Sequence, residues 1–178
     1  EGMDTGAMLL QEKVEILPED TAGTLAPRLA ALGGRLLIDT LARLKAGTLV
    51  PIKQDDQQAT MAPLLKKEDG LIDWSLSATS LTNRVRGLSP WPGAYTFLGA
   101  ERWNIWKAAL QGTATTDTPG TIVAVNKQSI LVATGDGLLD VHEIQTANSK
   151  RMAVAQFLAG HRVTIGQQLG PPPITLVG

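Results

Sequence analysis

Five short runs that partly alternate between apolar and polar residues fill much of the second half of the chain. They cover residues 94–98, 102–110, 121–125, 130–134 and 138–145. Alternation is typical of strands with one buried face, and turn-prone glycines such as Gly99, Gly120 and Gly135 separate the runs. Because the strands are short and closely spaced, the pattern predicts a small β-barrel of the OB type with flanking short helices.

The first part of the chain has a different pattern, in which leucines recur along one helical face. The recurrence begins after Thr21, a suitable N-cap, and ends at Gly47, so it predicts one amphipathic helix. An alternating run at residues 8–17 predicts a strand before this helix. A strand and a helix of this kind cannot bury themselves, so we interpret them as the α/β tail of a larger domain. The chain also starts without a methionine, which predicts that it belongs to a longer protein.

Periodicity is lost between residues 50 and 70, where polar residues dominate and prolines appear, as is typical of a linker. In the sequence beyond it, short helices are predicted after Ser77 and at residues 153–159, followed by a loose tail at residues 170–173. We therefore predict three parts: the end of one domain at residues 1–50, a linker at residues 51–70, and a complete second domain at residues 71–178.

Composition limits the classes of function. Hydrophobic residues make up 43% of the chain, which is enough to build a packed core. The net charge is -1, so any contact with nucleic acid must be local rather than the effect of a chain-wide basic field. The absence of cysteine excludes disulfides and cysteine-ligated metals. Since no apolar run could span a membrane and the start is not a signal peptide, we predict a cytoplasmic protein.

A series of short motifs follows in a fixed order along almost the whole chain. Each motif is weak by itself, but their order and spacing resemble those of the methionyl-tRNA formyltransferase family. The motifs are Gly2-Met3-Asp4-Thr5-Gly6, Lys67-Glu68-Asp69-Gly70, Ile72-Asp73-Trp74, Pro90-Trp91-Pro92-Gly93-Ala94, Pro119-Gly120-Thr121-Ile122 and Lys150-Arg151-Met152. The resemblance implies the end of a Rossmann-like catalytic domain, followed by an OB-like domain that faces tRNA.

The resemblance also implies a reaction, in which the amino group of methionine on initiator tRNA attacks the formyl carbon of 10-formyltetrahydrofolate. The family uses an Asn, a His and an Asp, and no metal. Asp4 matches the Asp, which orients the His and favours its cationic form, and Gly6 matches a glycine that lets the turn approach the folate. The Asn and His would precede residue 1, and His142 and His161 are not substitutes. We therefore expect this chain to be inactive by itself.

Basic residues are candidates for contacts with tRNA phosphates, with ordinary solvated surface as the equal alternative. Lys150 and Arg151 are the first choice, because the resemblance places a basic turn before the last helix. The turn reads Asn148-Ser149-Lys150-Arg151, where the family usually has a glycine followed by lysines. The second choice is the pair Lys66 and Lys67 in the linker. The other candidates are Arg84, Arg86, Lys107, Lys127 and Arg162.

The four tryptophans are also candidates, since aromatic rings stack on RNA bases. Core packing is the favoured interpretation for Trp74, for Trp91 and for one of Trp103 and Trp106. Odd and even positions on a strand face opposite sides, so at most one of the last pair is expected to be buried.

Three alternative functions stay open. One is a stand-alone RNA-binding module without chemistry, and another is the related hydrolase domain of formyltetrahydrofolate dehydrogenases. A third rests on Asp4-Thr5-Gly6-Ala7, which is similar to the active turn of aspartic proteases, although a long helix does not suit an all-β protease. The favoured interpretation implies initiator methionyl-tRNA as the partner of a monomeric protein, without DNA or membrane contact.

Overall fold

The computed structural model describes residues 4–112 and 114–171. It divides into two compact units, Glu1–Leu64 and Leu65–Gly178, and this division falls inside the predicted linker at residues 51–70. Gly2 and Met3 of the first motif lie outside the described residues.

The first unit is built on the predicted helix, α1, which spans Ala22–Ala46. Thr21 is its N-cap: the Thr21 hydroxyl accepts from the Thr24 amide at 3.2 Å, and the Thr24 hydroxyl accepts from the Thr21 amide at 2.9 Å. Gly47 ends the helix in the left-handed region, at φ 66°. Both predicted ends are therefore confirmed, and each satisfies backbone groups that a helix terminus leaves without partners.

Asp20 fixes the chain just before α1. Its carboxylate accepts from the Leu17 amide at 2.7 Å and from Arg28 at 2.5 Å. The Leu17 amide, followed by Arg28, holds the pKa of Asp20 below its usual value.

The predicted strand at residues 8–17 is wrong. Met8 forms one isolated antiparallel bridge with Ile52, and residues 9–17 are assigned to no strand. A strand needs a neighbour for its backbone hydrogen bonds, and the described part of the chain supplies one to this segment only at Met8. The apolar face of α1 is similarly uncovered: Leu32 is buried, whereas Leu37 and Leu44 are 60% and 58% exposed.

The second unit contains the five predicted strands, all of which are confirmed, and two further strands of two residues each. Neighbouring strands are antiparallel in the order β3-β4-β5-β2-β1-β7, and β6 pairs with β5. The strands are β1 Ala94–Leu98, β2 Glu101–Gln111, β3 Ile122–Val125, β4 Ile130–Ala133, β5 Leu138–Thr146, β6 Met152–Ala153 and β7 Leu169–Gly170.

The sheet curls until its two ends meet the same segment, as expected for an OB-like barrel. On one side Leu169 pairs with Leu98 of β1. On the other side the Leu169 amide donates to the Gly120 carbonyl at 2.8 Å, and the Ile122 amide donates to the Gln167 carbonyl at 2.8 Å. The loose tail predicted at residues 170–173 is therefore wrong for Gly170, which belongs to β7; Pro172 and Pro173 lie outside the described residues.

Two short helices cover the barrel. Helix α2, Ala78–Gly87, is capped by Ser77 as predicted and buries Leu81 and Val85. Helix α3, Val154–Gly160, buries Phe157 edge-on against Trp103, with 5.0 Å between ring centroids. No helix in the described part of the chain is long and apolar enough to cross a membrane.

Candidate nucleic-acid interface

The basic turn after β5 has a defined conformation. Asn148 has a φ of 59°, in the left-handed region that Asn tolerates better than most residues, so the glycine usual in the family is not required here. The Ser149 amide donates to the Thr146 carbonyl at 3.2 Å. The Gln145 side chain donates to the Ser149 carbonyl at 2.9 Å, which fixes the turn to β5.

The two basic residues of this turn differ in their contacts. Arg151 forms an ion pair with Glu143 at 2.5 Å, and its guanidinium carbon lies 5.5 Å from the ring centroid of Trp106. Lys150 is exposed and forms no ion pair with any described residue. Lys150 is thus available to a phosphate, whereas Arg151 has to share its charge with Glu143.

Trp106 connects the basic turn to the loop between α2 and β1. Its indole Nε1 donates to the Gln145 side-chain oxygen at 3.1 Å, and Gln145 also holds the basic turn. At the other edge of the ring, a Cβ atom built on Gly93 would lie 3.7 Å from Cη2 of Trp106. Gly93 is buried and has a φ of 79°, which favours glycine.

A second basic turn also packs against Gly93. Lys67–Gly70 form a 3₁₀ turn, and a Cβ atom added to Gly70 would overlap the Gly93 carbonyl oxygen. The exposed pair Lys66 and Lys67 therefore lies at the start of a turn whose end contacts the Gly93 loop.

Arg84 supports this second basic turn. Its guanidinium donates to the Asp69 carbonyl, while the Asp69 carboxylate accepts from the Lys66 amide at 2.6 Å. Hydrogen bonds from the Ser75 hydroxyl and amide, with the charge of Arg84, hold the pKa of Asp73 below its usual value. Arg84 is partly buried, so its first role is structural.

The structure thus links two of the candidate basic sites to one loop: the Lys66-Lys67 turn contacts Gly93 through Gly70, and Arg151 is joined to Gly93 through Trp106. Arg86 lies on α2 and donates to Asn83 at 2.7 Å. The remaining candidates, Lys107, Lys127 and Arg162, are exposed. The contact between Gly70 and Gly93 and the relay through Gln145 were missed by sequence reasoning, because neither leaves a periodic signal.

The tryptophan predictions were partly correct. Trp74 and Trp103 are 5% and 2% exposed, and the Trp74 indole donates to Thr96 at 3.0 Å, as core packing requires. Trp106 is only partly buried, which agrees with the alternation argument. The prediction for Trp91 is wrong, since this side chain is 54% exposed. The buried position of its loop is taken by Gly93, which packs on Trp106 and leaves Trp91 at the surface.

Asp4 lies in the first unit, in a turn at the beginning of the described residues. Asp4 has a φ of 61° and is exposed. The Gln54 side-chain amide donates to the carbonyls of Asp4 and Gly6, at 2.8 and 2.7 Å. Asp4 lines a cavity of about 580 Å³ together with Thr5, Lys53 and Gln54.

The two histidines belong to the second unit and have partners there. His142 Nε2 lies 3.3 Å from the Asp140 carboxylate. His161 stacks on Phe157, with 4.3 Å between ring centroids, and its Nδ1 lies 3.1 Å from the Phe157 carbonyl.

Domains with an OB-like barrel and a basic, aromatic surface bind many kinds of ligand, so the fold alone does not define a function. Comparison with known proteins identifies the family. The family described as "Formyl transferase, C-terminal domain" matches residues 64–162, and "Formyl transferase" matches residues 1–41. The chain belongs to the formyl transferase family. The aspartic protease interpretation is wrong, since the turn containing Asp4 lies within the second match.

Several curated relatives share the name methionyl-tRNA formyltransferase. The protein from Solibacter usitatus is 50% identical over 169 residues, which is 95% of this chain and 54% of that protein. The protein from Trichlorobacter lovleyi is 47% identical over 175 residues, which is 98% of this chain and 54% of that protein. The chain therefore spans about half the length of these relatives.

A solved structure shares the fold at low sequence identity. A variant of HypX from Aquifex aeolicus is 17% identical, with a TM-score of 0.57 over 94% of this chain and 33% of that chain. At this identity the likeness concerns the fold alone.

Proposed function

We propose that this chain is the C-terminal part of a methionyl-tRNA formyltransferase and that its second unit holds initiator tRNA. The support for the enzyme is the shared name of relatives that match 95% and 98% of the chain. Because the chain spans 54% of each relative, the activity belongs to a longer protein.

The observation that carries the tRNA role is the convergence of basic side chains on the Gly93 loop. Trp106 and Gln145 join the Lys150-Arg151 turn to the loop, and the Lys66-Lys67 turn contacts the loop through Gly70. Charges held at fixed positions suit a phosphate backbone, which carries negative charge at regular intervals. We assign phosphate contacts to Lys150, Arg151, Lys66, Lys67 and Arg86, and a supporting role to Arg84.

The contacts are with the RNA backbone rather than with base edges in a groove. Double-stranded RNA has a deep, narrow major groove that side chains do not read, so proteins recognise its shape and its phosphates. The barrel offers a curved surface, and its exposed basic residues lie in turns and on a strand rather than along one recognition helix.

In the intact enzyme we assign Asp4 the role of orienting a histidine and stabilising its cationic form. The Gln54 hydrogen bonds to the Asp4 and Gly6 carbonyls hold the backbone of this turn, so that Gly6 leaves room for the folate. The formyl donor, 10-formyltetrahydrofolate, supplies the electrophilic carbon. Neither an Asn nor a His precedes Asp4 in this chain, so we expect no formyl transfer by these 178 residues alone.

The test is binding of initiator methionyl-tRNA by the 178-residue chain at one fixed, moderate salt concentration. Lys150→Ala combined with Arg151→Ala removes two proposed phosphate contacts and should weaken binding about 10-fold or more, equally for tRNAs of different sequence. The matched control, Lys127→Ala combined with Arg162→Ala, removes the same charge from outside the proposed surface. Equal losses in both double variants would mean that only net charge matters, and the proposed surface would be wrong.

A stand-alone RNA-binding module is the second candidate, because all the basic residues assigned above lie in the second unit. Labelled 10-formyltetrahydrofolate distinguishes the two candidates. If the chain is part of the enzyme, adding the missing part of the catalytic domain should restore formyl transfer to methionyl-tRNA. If the chain is a stand-alone binding module, the same addition should give no transfer. A hydrolase of formyltetrahydrofolate would release formate without any need for tRNA.

A further inference from the structure

Trp91 exposes its indole ring at the surface of the second unit. Among the exposed large hydrophobic residues of the described second unit it is the one aromatic residue, whereas Trp74 and Trp103 are buried. An exposed indole costs free energy in water, so an exposed tryptophan held by well-packed neighbours suggests a ligand for its ring.

The loop that carries Trp91 is anchored both before and after this residue in the chain. The Gly93 amide donates to the Leu88 carbonyl at 2.9 Å, which closes the loop back onto the end of α2. Gly93 itself packs on Trp106, and Leu88 is buried. The position of Trp91 is therefore set by its neighbours before any ligand arrives, and this lowers the entropy cost of binding.

Two basic turns are linked to this loop. Arg151 stands over Trp106, with Lys150 beside it in sequence, and Lys67 begins the turn that ends against Gly93. A flat exposed ring on a loop that is joined to two basic turns complements a nucleotide, whose base is flat and whose phosphate is negative. A protein partner would favour a broader apolar patch at this position, rather than one exposed ring on a loop that is joined to basic turns.

We propose that Trp91 stacks on an unpaired base of the bound RNA, while Lys150 and the Lys66-Lys67 turn hold the adjoining phosphates. This inference rests on the proposed function, and it adds a requirement for single-stranded RNA to binding that otherwise depends on charge. Trp106 supports the loop and is not the ring that stacks on RNA. Its Nε1 donates to Gln145, and its ring is in contact with Arg151 and Gly93. Trp91 is the ring that the base contacts.

The experiment uses the 178-residue chain and two probes, a blunt RNA hairpin and the same hairpin with a short single-stranded 3′ extension of adenosines containing 2-aminopurine. Trp91→Ala should weaken binding of the extended hairpin about 5-fold or more and abolish quenching of 2-aminopurine, since stacking on one base contributes about 1–3 kcal/mol. Trp91→Phe should restore most of both signals. Binding of the blunt hairpin, and the salt dependence for both RNAs, should be unchanged.

Ile165→Ala is the matched control, because it removes an exposed apolar side chain elsewhere on the second unit. Thermal unfolding confirms that each variant is folded. Unchanged affinity of Trp91→Ala for the extended hairpin, or an equal loss for both hairpins, overturns the inference while leaving charge-dependent tRNA binding intact. Failure of the wild-type chain to bind either hairpin or initiator tRNA overturns the proposed function and the inference together.

Discussion

The ion pair between Glu143 and Arg151 affects how strongly the proposed surface can bind RNA. Their ion pair is close, at 2.5 Å, but the Arg151 and Glu143 side chains are 51% and 30% exposed, and ion pairs open to solvent contribute little to stability. The same pair matters more for binding, because a phosphate must compete with Glu143 for the Arg151 guanidinium.

We therefore predict that Glu143→Gln strengthens tRNA binding. Removing the carboxylate frees Arg151 and deletes a nearby negative charge, so affinity at moderate salt should rise roughly 1.5- to 5-fold, the equivalent of an exposed ion pair. Equilibrium binding of labelled initiator tRNA measures the change. Asp117→Asn is the matched control, because Asp117 is an exposed carboxylate whose hydrogen-bond partner is Thr115. An affinity of Glu143→Gln equal to that of the wild type, or raised no more than that of Asp117→Asn, would show that Arg151 does not contact RNA.

At the scale of secondary-structure elements, the parts of the fold that depend on local sequence were predictable. Thr21 and Ser77 cap their helices because their hydroxyls accept from amides three residues later. The five strands were predicted from short, partly alternating runs bounded by turn residues, and burial alternates most clearly in β1 and in the middle of β2. The prediction of a strand at residues 8–17 was wrong because alternation shows only which side chains would share one face. A strand also needs a neighbouring strand to accept its backbone hydrogen bonds.

Contacts between elements were less predictable, and the candidate site depends on them. Lys150 and Arg151 could be selected from their order among the family's motifs. Nothing in the local pattern showed that Gly93 would take the buried place on Trp106 and leave Trp91 exposed. That outcome depends on the packing of α2 and β1 against β2, which is non-local.

Gly135 tests one such contact. Its amide donates to the Trp74 and Leu76 carbonyls, at 2.9 and 3.0 Å, and an added Cβ atom would overlap the Ser75 carbonyl oxygen. Gly135→Ala should force the β4–β5 hairpin away from residues 74–76 and destabilise the barrel by about 1–3 kcal/mol.

Denaturant unfolding of the 178-residue chain measures this effect. Gly87→Ala is the control, because a Cβ atom there would meet nothing within 4 Å, and its stability should be unchanged or slightly higher. A loss for Gly135→Ala no larger than for Gly87→Ala would mean that the close approach to Ser75 is not a constraint.

At the scale of the whole molecule, the proposed tRNA role depends on local charge rather than on net charge. The chain has a net charge of -1, yet one basic turn packs on the Gly93 loop of the second unit, and a second basic turn is joined to that loop through Gln145 and Trp106. A uniformly weak field and a local basic surface predict different salt dependence. The local surface releases a defined number of counterions when it neutralises phosphates, and this number can be measured.

The most direct test of the proposed tRNA role is therefore the affinity of the 178-residue chain for initiator tRNA across a range of salt concentrations. With several phosphate contacts, the plot of log affinity against log salt should be linear, with a slope between about -2 and -5. In the variant that combines Lys150→Ala with Arg151→Ala the slope should become shallower by about one to two units. A slope near zero in the wild type, or the same slope in both proteins, would contradict the account.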